Sequence, residues 1–346
     1  VKKVNLNKVI ITSSVQTVPK KEMVYYSPQP ERIPSVGDVV IAKITTIGEH
    51  VELENRNARI HKIFDGTQFV GAWGNRYATD AFEALVPDRP VTHCDLVARG
   101  GVIGVVKSKF SSVKDPTKVE ILGYVLNPDK KVINTRDYPI KIKTKPNQNP
   151  RKNLILVVGS SMNAGKSTAA KAAIYSLVVK KKSVAAGKVT GTASLKDLLL
   201  MEDSGANEVI DFTYLGYPST YMLEKETVID IFEKIYAYLS PKAKDYVVLE
   251  IADGILQRET SFLLSYPGLH EKLHKLIFCC TESIAVRGGI EFLKERYNLT
   301  PDAISGRAVN SELGQREIRQ FLDIPMFNSM EVSINHVYKI LTDKET

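Results

Sequence analysis

The run Leu154, Ile155, Leu156, Val157 and Val158 enters a loop of mostly small residues, Gly159, Ser160, Ser161, Met162, Asn163, Ala164 and Gly165. The loop closes on Lys166, Ser167 and Thr168 and continues into Ala169, Ala170, Lys171, Ala172 and Ala173. No other stretch limits the fold as tightly. An apolar run of this length is a buried strand, and an alanine-rich run is a helix. Small residues between them bring bare backbone N–H groups to a helix N-terminus, where the dipole favours an anion. Gly165 leaves room for that backbone, Lys166 supplies a mobile ammonium, and Ser167 supplies a hydroxyl suited to magnesium. The stretch is therefore expected to wrap the phosphates of a nucleoside triphosphate, with Ser160, Ser161, Asn163, Ala164 and Thr168 completing its lining. The usual spacing puts the first glycine at position 160, but the glycine here is Gly159, one residue earlier.

With 346 residues the chain is long enough for two domains, each with its own core. Apolar and charged fractions of 43% and 25% are those of an ordinary globular protein, which excludes a disordered or fibrous chain. No apolar run approaches the roughly 20 residues that cross a bilayer, and the charged start at Val1, Lys2 and Lys3 lacks a signal-peptide core. A soluble, cytoplasmic protein without a membrane role is the expectation. Cys94, Cys279 and Cys280 are too few for a disulfide framework, and the histidines show no ligand spacing, so structural cysteines and no protein-built zinc site are expected. The net charge of +8 permits attraction to polyanions and serves nucleotide binding equally well.

Over 139–153, prolines, lysines and amides replace any apolar period, which predicts a basic linker between a first domain, 1–138, and a second, 154–346. Upstream, the stretches 36–54, 59–64, 102–106 and 118–126 are rich in β-branched residues and punctuated by glycines. They predict a small, mainly-β, barrel-like domain, with 77–85 as its helix candidate. Its aromatics Tyr25, Tyr26, Phe64, Phe69, Trp73, Tyr77 and Phe110 either fill the barrel or offer base-stacking surfaces beside Lys107 and Lys109, with core the favoured reading. Downstream, strand-like runs at 154–158, 183–189, 246–251, 276–280 and 303–310 alternate with helical runs at 167–180, 227–239, 288–297 and 313–321. This predicts an α/β fold with a mostly parallel, doubly wound sheet and a ligand at the carboxyl ends of its strands.

Other predicted strand ends carry chemistry too. Lys188, followed by Thr190 and Thr192, is placed to meet a phosphate or an anionic substrate. Glu250 follows largely apolar residues, where an unpaired carboxylate would be costly and a magnesium-side ligand fits, with Asp253 as the competing acid. Tyr214, Ser219, Thr220 and Tyr221 either line an acceptor pocket or form a turn around Gly216 and Pro218.

The sequence from Gly159 to Ser167, then Lys188 to Thr192, Glu250 with Gly254, and Gly306 to Asn310, resembles dethiobiotin synthetase and its relatives among the SIMIBI-type P-loop NTPases, over about 152–330. That pattern places five residues between the first glycine and the Gly-Lys pair, which accounts for Gly159. The resemblance implies magnesium and ATP at the loop, with GTP as the alternative nucleotide. It implies Ser167 or Thr168 assisting the metal, Glu250 joining it, and Asn310 against the purine. Asp203 is implied as a third metal-side carboxylate, in competition with Glu202 and Asp211. The implied activity is γ-phosphoryl transfer to, or ATP-driven activation of, a small acid-bearing acceptor, with Lys166, Lys188 and Glu250 as the catalytic set and a homodimer as the assembly. The loop acid of that family is replaced here by Asn163 or Ser161, and the barrel-like domain is foreign to it, so the acceptor itself does not carry over. The alternative function is a nucleotide-hydrolysing switch whose barrel binds nucleic acid or a protein partner. The opening of the barrel region, Gly37, Asp38, Val39 and Val40, resembles the first strand of oligonucleotide-binding-type and other small barrels.

Overall fold

The computed structural model describes residues 1–142 and 151–343, so most of the expected linker at 139–153 lies outside the described residues. The chain forms two compact units. Unit 1 comprises Val1–Lys141, Gly191–Lys196 and Phe212–Met222, and unit 2 comprises Ile142–Thr190, Asp197–Asp211 and Leu223–Thr346.

In unit 1 the described strands are β1 (Lys2–Lys3), β2 (Ile10–Ile11), β3 (Tyr25–Ser27), β4 (Val39–Thr46), β5 (Glu52–Glu54), β6 (Ile60–Lys62), β7 (Gln68–Trp73), β8 (Phe82–Leu85), β9 (His93–Ala98), β10 (Val102–Lys109) and β11 (Thr117–Leu126). Pairing runs from β11 to β4, β7, β10 and β9 and returns to β11, so five strands close into a barrel. Closure removes the open edges that a sheet of this length would otherwise expose. Alternation along β4 then serves two cores. Val40, Ala42 and Ile44 join Phe69, Trp73, Leu96 and Ile103, while Val39 and Ile41 join Val15, Val18 and Val70. Phe69 and Trp73 are thus core residues, whereas Phe64 and Phe110 are 70% and 48% exposed.

The helix expected at 77–85 does not form. Phe82 and Ala84 are buried and alternate with half-buried Glu83 and Leu85, a period of two that suits β8 as an antiparallel partner of β10. The partner strand supplies backbone hydrogen bonds that a local helix propensity cannot outweigh.

Two segments distant in sequence complete unit 1. Glu54, at the end of β5, is 1% exposed and accepts hydrogen bonds from Ser13 Oγ and from the Leu195 backbone N–H, both at 2.7 Å. Arg99 lies 3.7 Å from its other oxygen. Thr135 Oγ1 donates to the Gly216 carbonyl at 2.6 Å, and the Tyr221 hydroxyl donates to Glu83 at 2.9 Å.

Unit 2 contains the described strands β12 (Leu154–Gly159), β13 (Val184–Lys188), β14 (Val209–Asp211), β15 (Tyr246–Glu250), β16 (Leu273–Cys279) and β17 (Ala303–Ser305). They form one parallel sheet in the order β14-β13-β15-β12-β16-β17. The helices are α1 (Lys166–Val179), α2 (Lys196–Asp203), α3 (Lys225–Leu239), α4 (Arg258–Leu264), α5 (Pro267–Lys272), α6 (Ser283–Tyr297), α7 (Glu312–Ile318) and α8 (Ile334–Thr342), with Lys196 of α2 counted in unit 1. The chain leaves β12 toward β13 on one side and later returns to β16 on the other, so β12 borders the topological switch point, where a crevice opens outside the strand ends. Unit 2 is thus a doubly wound parallel α/β fold, and unit 1 is mainly β and barrel-like. Among the described residues no helix is long and apolar enough to cross a membrane.

Glu54→Ala should strand the Ser13 hydroxyl and the Leu195 N–H in a buried setting, costing about 2–4 kcal/mol. Urea denaturation of parent and variant checks this. A second expectation concerns His50, whose Nε2 accepts from the Arg76 guanidinium at 3.1 Å and whose Nδ1 is buried without a partner among the described residues. Burial first, then the charges of Arg76 and Arg99, push its pKa down to about 3, so the folded ring stays neutral. Unfolded histidine takes up its proton near 6.5, so the stability this ring contributes is full above that pH and declines as pH falls toward the folded value. Between pH 7 and pH 5 the parent should lose roughly 2 kcal/mol more than His50→Leu, read from urea midpoints at the two pH values.

Candidate functional site

The parallel register sets the site before any loop is considered. Lys188 of β13 stands opposite Glu250 of β15 and Asp211 of β14, and Val157 of β12 stands opposite Glu250 from the other side. Charged residues thus end strands whose preceding residues are almost wholly buried. The loop 160–165 leaves β12 at this same edge and delivers α1.

Within the loop Gly165 caps α1 with a left-handed backbone, φ +97° and ψ +19°. The first helical hydrogen bond runs from the Ala169 N–H to the Gly165 carbonyl at 2.9 Å, so the N–H groups of Lys166, Ser167 and Thr168 lie ahead of the helical ladder. A Cβ on Gly165 would come within 2.9 Å of Gly306 Cα, and one on Gly306, where φ is +87°, within 2.1 Å of the Ala164 carbonyl oxygen. The two glycines let the segment after β17 press against the loop, and the Arg307 N–H donates to Ala164 at 3.2 Å. Gly159 has a packing reason of its own. A Cβ there would meet Cγ and Cδ of Lys166 at 3.0 Å, so the displaced glycine makes room for the lysine stem.

Lys166 folds back across the loop, its Nζ donating to the Ser161 carbonyl at 2.8 Å. Burial draws its ammonium below the usual lysine range, and Glu250 and Asp253 oppose that shift. Ser167 Oγ donates to Glu250 Oε1 at 3.1 Å, while Glu250 Oε2 is buried without a hydrogen-bond partner among the described residues. Burial raises the Glu250 carboxyl above the ordinary range, and Lys188, Lys166 and the Ser167 hydroxyl pull the other way. Lys188 Nζ lies 3.7 Å from Glu250 Oε1 and forms an ion pair with Asp197 in the first turn of α2. Although burial alone would lower the Lys188 ammonium, the two carboxylates outweigh it and hold the group above the usual range.

Lys166, Ser167, Lys188 and Glu250 are therefore brought together. The sequence reading missed Asp197; its signal was an acid in the first turn of the helix after Lys188. Asp203 is not brought to them: it is exposed at the far end of α2. Its neighbour Gly205 packs on Val178 near the end of α1, and Asn207 donates to the carbonyl that begins β13. This is the amino edge of the sheet. Glu202 is exposed beside it, whereas Asp211 is buried in register with Lys188. Asp253 follows β15 in a left-handed conformation, φ +63°. Thr190 Oγ1 accepts from the Ala252 N–H at 2.9 Å, which ties the loop after β13 to the loop after β15. Asn310 follows the Gly306 turn, and its Oδ1 accepts from the Ser329 N–H at 3.3 Å and from the Ser329 hydroxyl at 3.4 Å. Thr192, Tyr214, Ser219, Thr220 and Tyr221 belong to unit 1, where the Thr220 hydroxyl accepts from the Gly191 N–H at 2.9 Å. Cys279 and Cys280 are buried, and burial pushes both thiols up, Cys279 to about 12.

Among the described residues no group of three or more histidine, cysteine, aspartate or glutamate side chains is arranged to hold a metal. What the strand ends offer instead is one hydroxyl and one carboxylate with an unpartnered oxygen. Such a hard-oxygen pair suits magnesium, which keeps several waters and takes its remaining ligands from phosphates.

No family model matches the chain, and no curated protein sequence matches it. Among solved structures it is similar to the signal recognition particle receptor FtsY of Elizabethkingia anophelis in complex with GDP, at 12% identity and TM-score 0.38, covering 60% of this chain and 68% of that one. It is also similar to the cell division protein FtsY of Thermotoga maritima, at 16% identity and TM-score 0.36, covering 61% of this chain and 75% of that one. A ParA family ATPase from Chlorobium tepidum is a third, at 15% identity and TM-score 0.33, covering 56% of this chain and 94% of that one. Likenesses at these scores are too distant to place the chain in a family.

Gly306→Ala should force the turn after β17 away from Ala164 and strain a left-handed backbone, costing roughly 1–3 kcal/mol. Hydrogen exchange should show faster opening of 160–165 in the variant, with the strands of unit 1 unaffected.

Proposed function

We propose that unit 2 binds a magnesium–nucleoside triphosphate at 159–168 and hydrolyses or transfers its γ-phosphoryl group. The observation that carries this reading is the Ser167–Glu250 contact at the start of α1, with the second Glu250 oxygen buried and without a partner among the described residues. A carboxylate left so in an apolar sheet is costly, and a cation bound beside it removes the cost. Magnesium, when bound, neutralises charge on the phosphates, and Ser167 and Glu250 would hold it. Lys166 would exchange the Ser161 carbonyl for a phosphate oxygen, and the N–H groups ahead of the α1 ladder would meet the rest of the triphosphate. Lys188 would stabilise charge developing on the transferred group, with Asp197 fixing its position. Asn310, its carbonyl oxygen engaged by Ser329, would offer its amide donor to the base. ATP is the nucleotide proposed, and GTP is the competing outcome of the same titration.

For the acceptor, the resemblance to dethiobiotin synthetase supports a small acid-bearing molecule, working in a homodimer. A second reading has its own observation. The segments that follow β13 and β14 in the chain, Gly191–Lys196 and Phe212–Met222, fold as parts of unit 1. That connectivity favours a switch in which nucleotide state alters what unit 1 binds.

Lys166→Ala should weaken nucleotide binding at least about 100-fold, and Glu250→Gln should lower magnesium-dependent phosphate release roughly 10²- to 10³-fold with the fold intact. Titration with fluorescent ATP and GTP analogues and a phosphate-release assay check both. Unchanged binding by Lys166→Ala would overturn the reading. Stimulation of release by a small-molecule cell fraction supports the acceptor, and stimulation by nucleic acid or protein alone supports the switch.

A further inference from the structure

The charge of the chain is unevenly divided. Unit 1 has 22 lysines and arginines against 15 aspartates and glutamates, a net of +7, and unit 2 has 25 against 24. Within unit 1 a cavity of about 320 Å³ is lined by the segment from Leu6 to Ile11, by Lys20, by Asn55, Arg56 and Asn57, and by His61. Lys8, Lys20 and Arg56 supply three cations, and among the described residues no carboxylate lines the cavity. None of the three forms an ion pair among the described residues.

Arg56 is held where it is. Its guanidinium donates to the Val18 carbonyl at 3.2 Å and to the Gln16 carbonyl at 2.6 Å, so it is oriented by dipoles while its full charge goes uncompensated. Burial draws this guanidinium below its ordinary range, a measure of that uncompensated charge. The neighbouring turn is equally defined. Asn55 Oδ1 accepts from the Asn57 and Arg59 N–H groups at 2.9 and 3.0 Å, which points its Nδ2 at His61 Nε2, 3.0 Å away. His61 therefore accepts at Nε2 and carries its hydrogen on Nδ1. Three asparagine amides and a neutral imidazole thus accompany the cations.

We propose that this cavity is an anion site of unit 1 for a small phosphorylated molecule, separate from the triphosphate site proposed for unit 2. A fixed guanidinium and two mobile ammonium groups match a phosphate or diphosphate. A volume of about 320 Å³ exceeds what a phosphate group fills, leaving room for an organic part against Leu6, Ile10 and the asparagine amides. A single-stranded nucleic acid is the less suitable occupant, because among the described residues no Phe, Tyr or Trp lines the cavity and such sites stack bases on aromatic rings.

The test uses the full chain carrying Lys166→Ala, so that the loop of unit 2 does not dominate the signal, with and without Lys8→Ala and Lys20→Ala. Calorimetric titration with inorganic pyrophosphate and with a nucleoside monophosphate should show binding that weakens at least tenfold when both lysines are removed and that falls as salt rises. The lysines are exposed, so thermal melting of the variants should match the Lys166→Ala parent. Equal affinity with and without the two lysines overturns the proposal, as does absence of binding at millimolar pyrophosphate. Tighter binding of a single-stranded oligonucleotide than of either small anion, lost with the same lysines, would replace the small molecule by a polymer. Placing Lys8→Ala and Lys20→Ala in the otherwise unaltered chain should leave triphosphate binding unchanged, which separates this outcome from failure of the unit 2 reading.

Discussion

Glu250 is a carboxylate at the end of a strand that is otherwise buried and apolar, and the rest of the site is arranged around its charge. Parallel register sets Lys188 on one side of it, and the first turn of α1 places Ser167 on the other. Each contact offsets part of the desolvation of Glu250, and neither satisfies its second oxygen. The same demand explains Asp197. Lys188 is itself half-buried, and a second carboxylate holds it charged and in place. What results is a compact set of alternating charges, with Lys188 held between Glu250 and Asp197.

Backbone packing gives the loop from Gly159 to Lys166 its shape. Lys166 rests on the carbonyl of Ser161, Gly159 gives its stem space, and Gly165 and Gly306 allow two turns to approach at a distance that any side chain would prevent. These contacts come from three strand ends, β12, β16 and β17, where the Ser160 N–H also donates to the Cys279 carbonyl. A loop braced in this way presents its N–H groups in fixed directions, which lowers the cost of ordering them around a ligand.

Unit 1 is stabilised differently. Its barrel closes through five paired strands, and its fit to the inserted segments rests on a few buried polar contacts, with Glu54 holding both Ser13 and Leu195. Leu195 is two residues from Asp197, and Asp197 holds Lys188. The backbone that a buried barrel carboxylate fixes therefore continues directly into a residue of the candidate site.

The sequence alone determined the parallel α/β unit, the barrel-like unit and the strand–loop–helix from 154 to 173, because those depend on local periodicity and on the small residues a tight turn demands. It also singled out Lys166, Ser167, Lys188 and Glu250, since a charged residue that ends an apolar strand is conspicuous without knowledge of its partners. Tertiary structure decided the rest. Asp197 entered the site and Asp203 did not, because helix length and direction, invisible to spacing, carry one end of α2 to the carboxyl edge of the sheet and the other away from it. Residues 82–85 became a strand because β10 offered a partner, and 191–196 and 212–222 joined the barrel because Glu54 and Thr135 offered theirs. Pairing between distant residues is set by the free energy of the whole packed unit, and a local pattern carries only a small part of it.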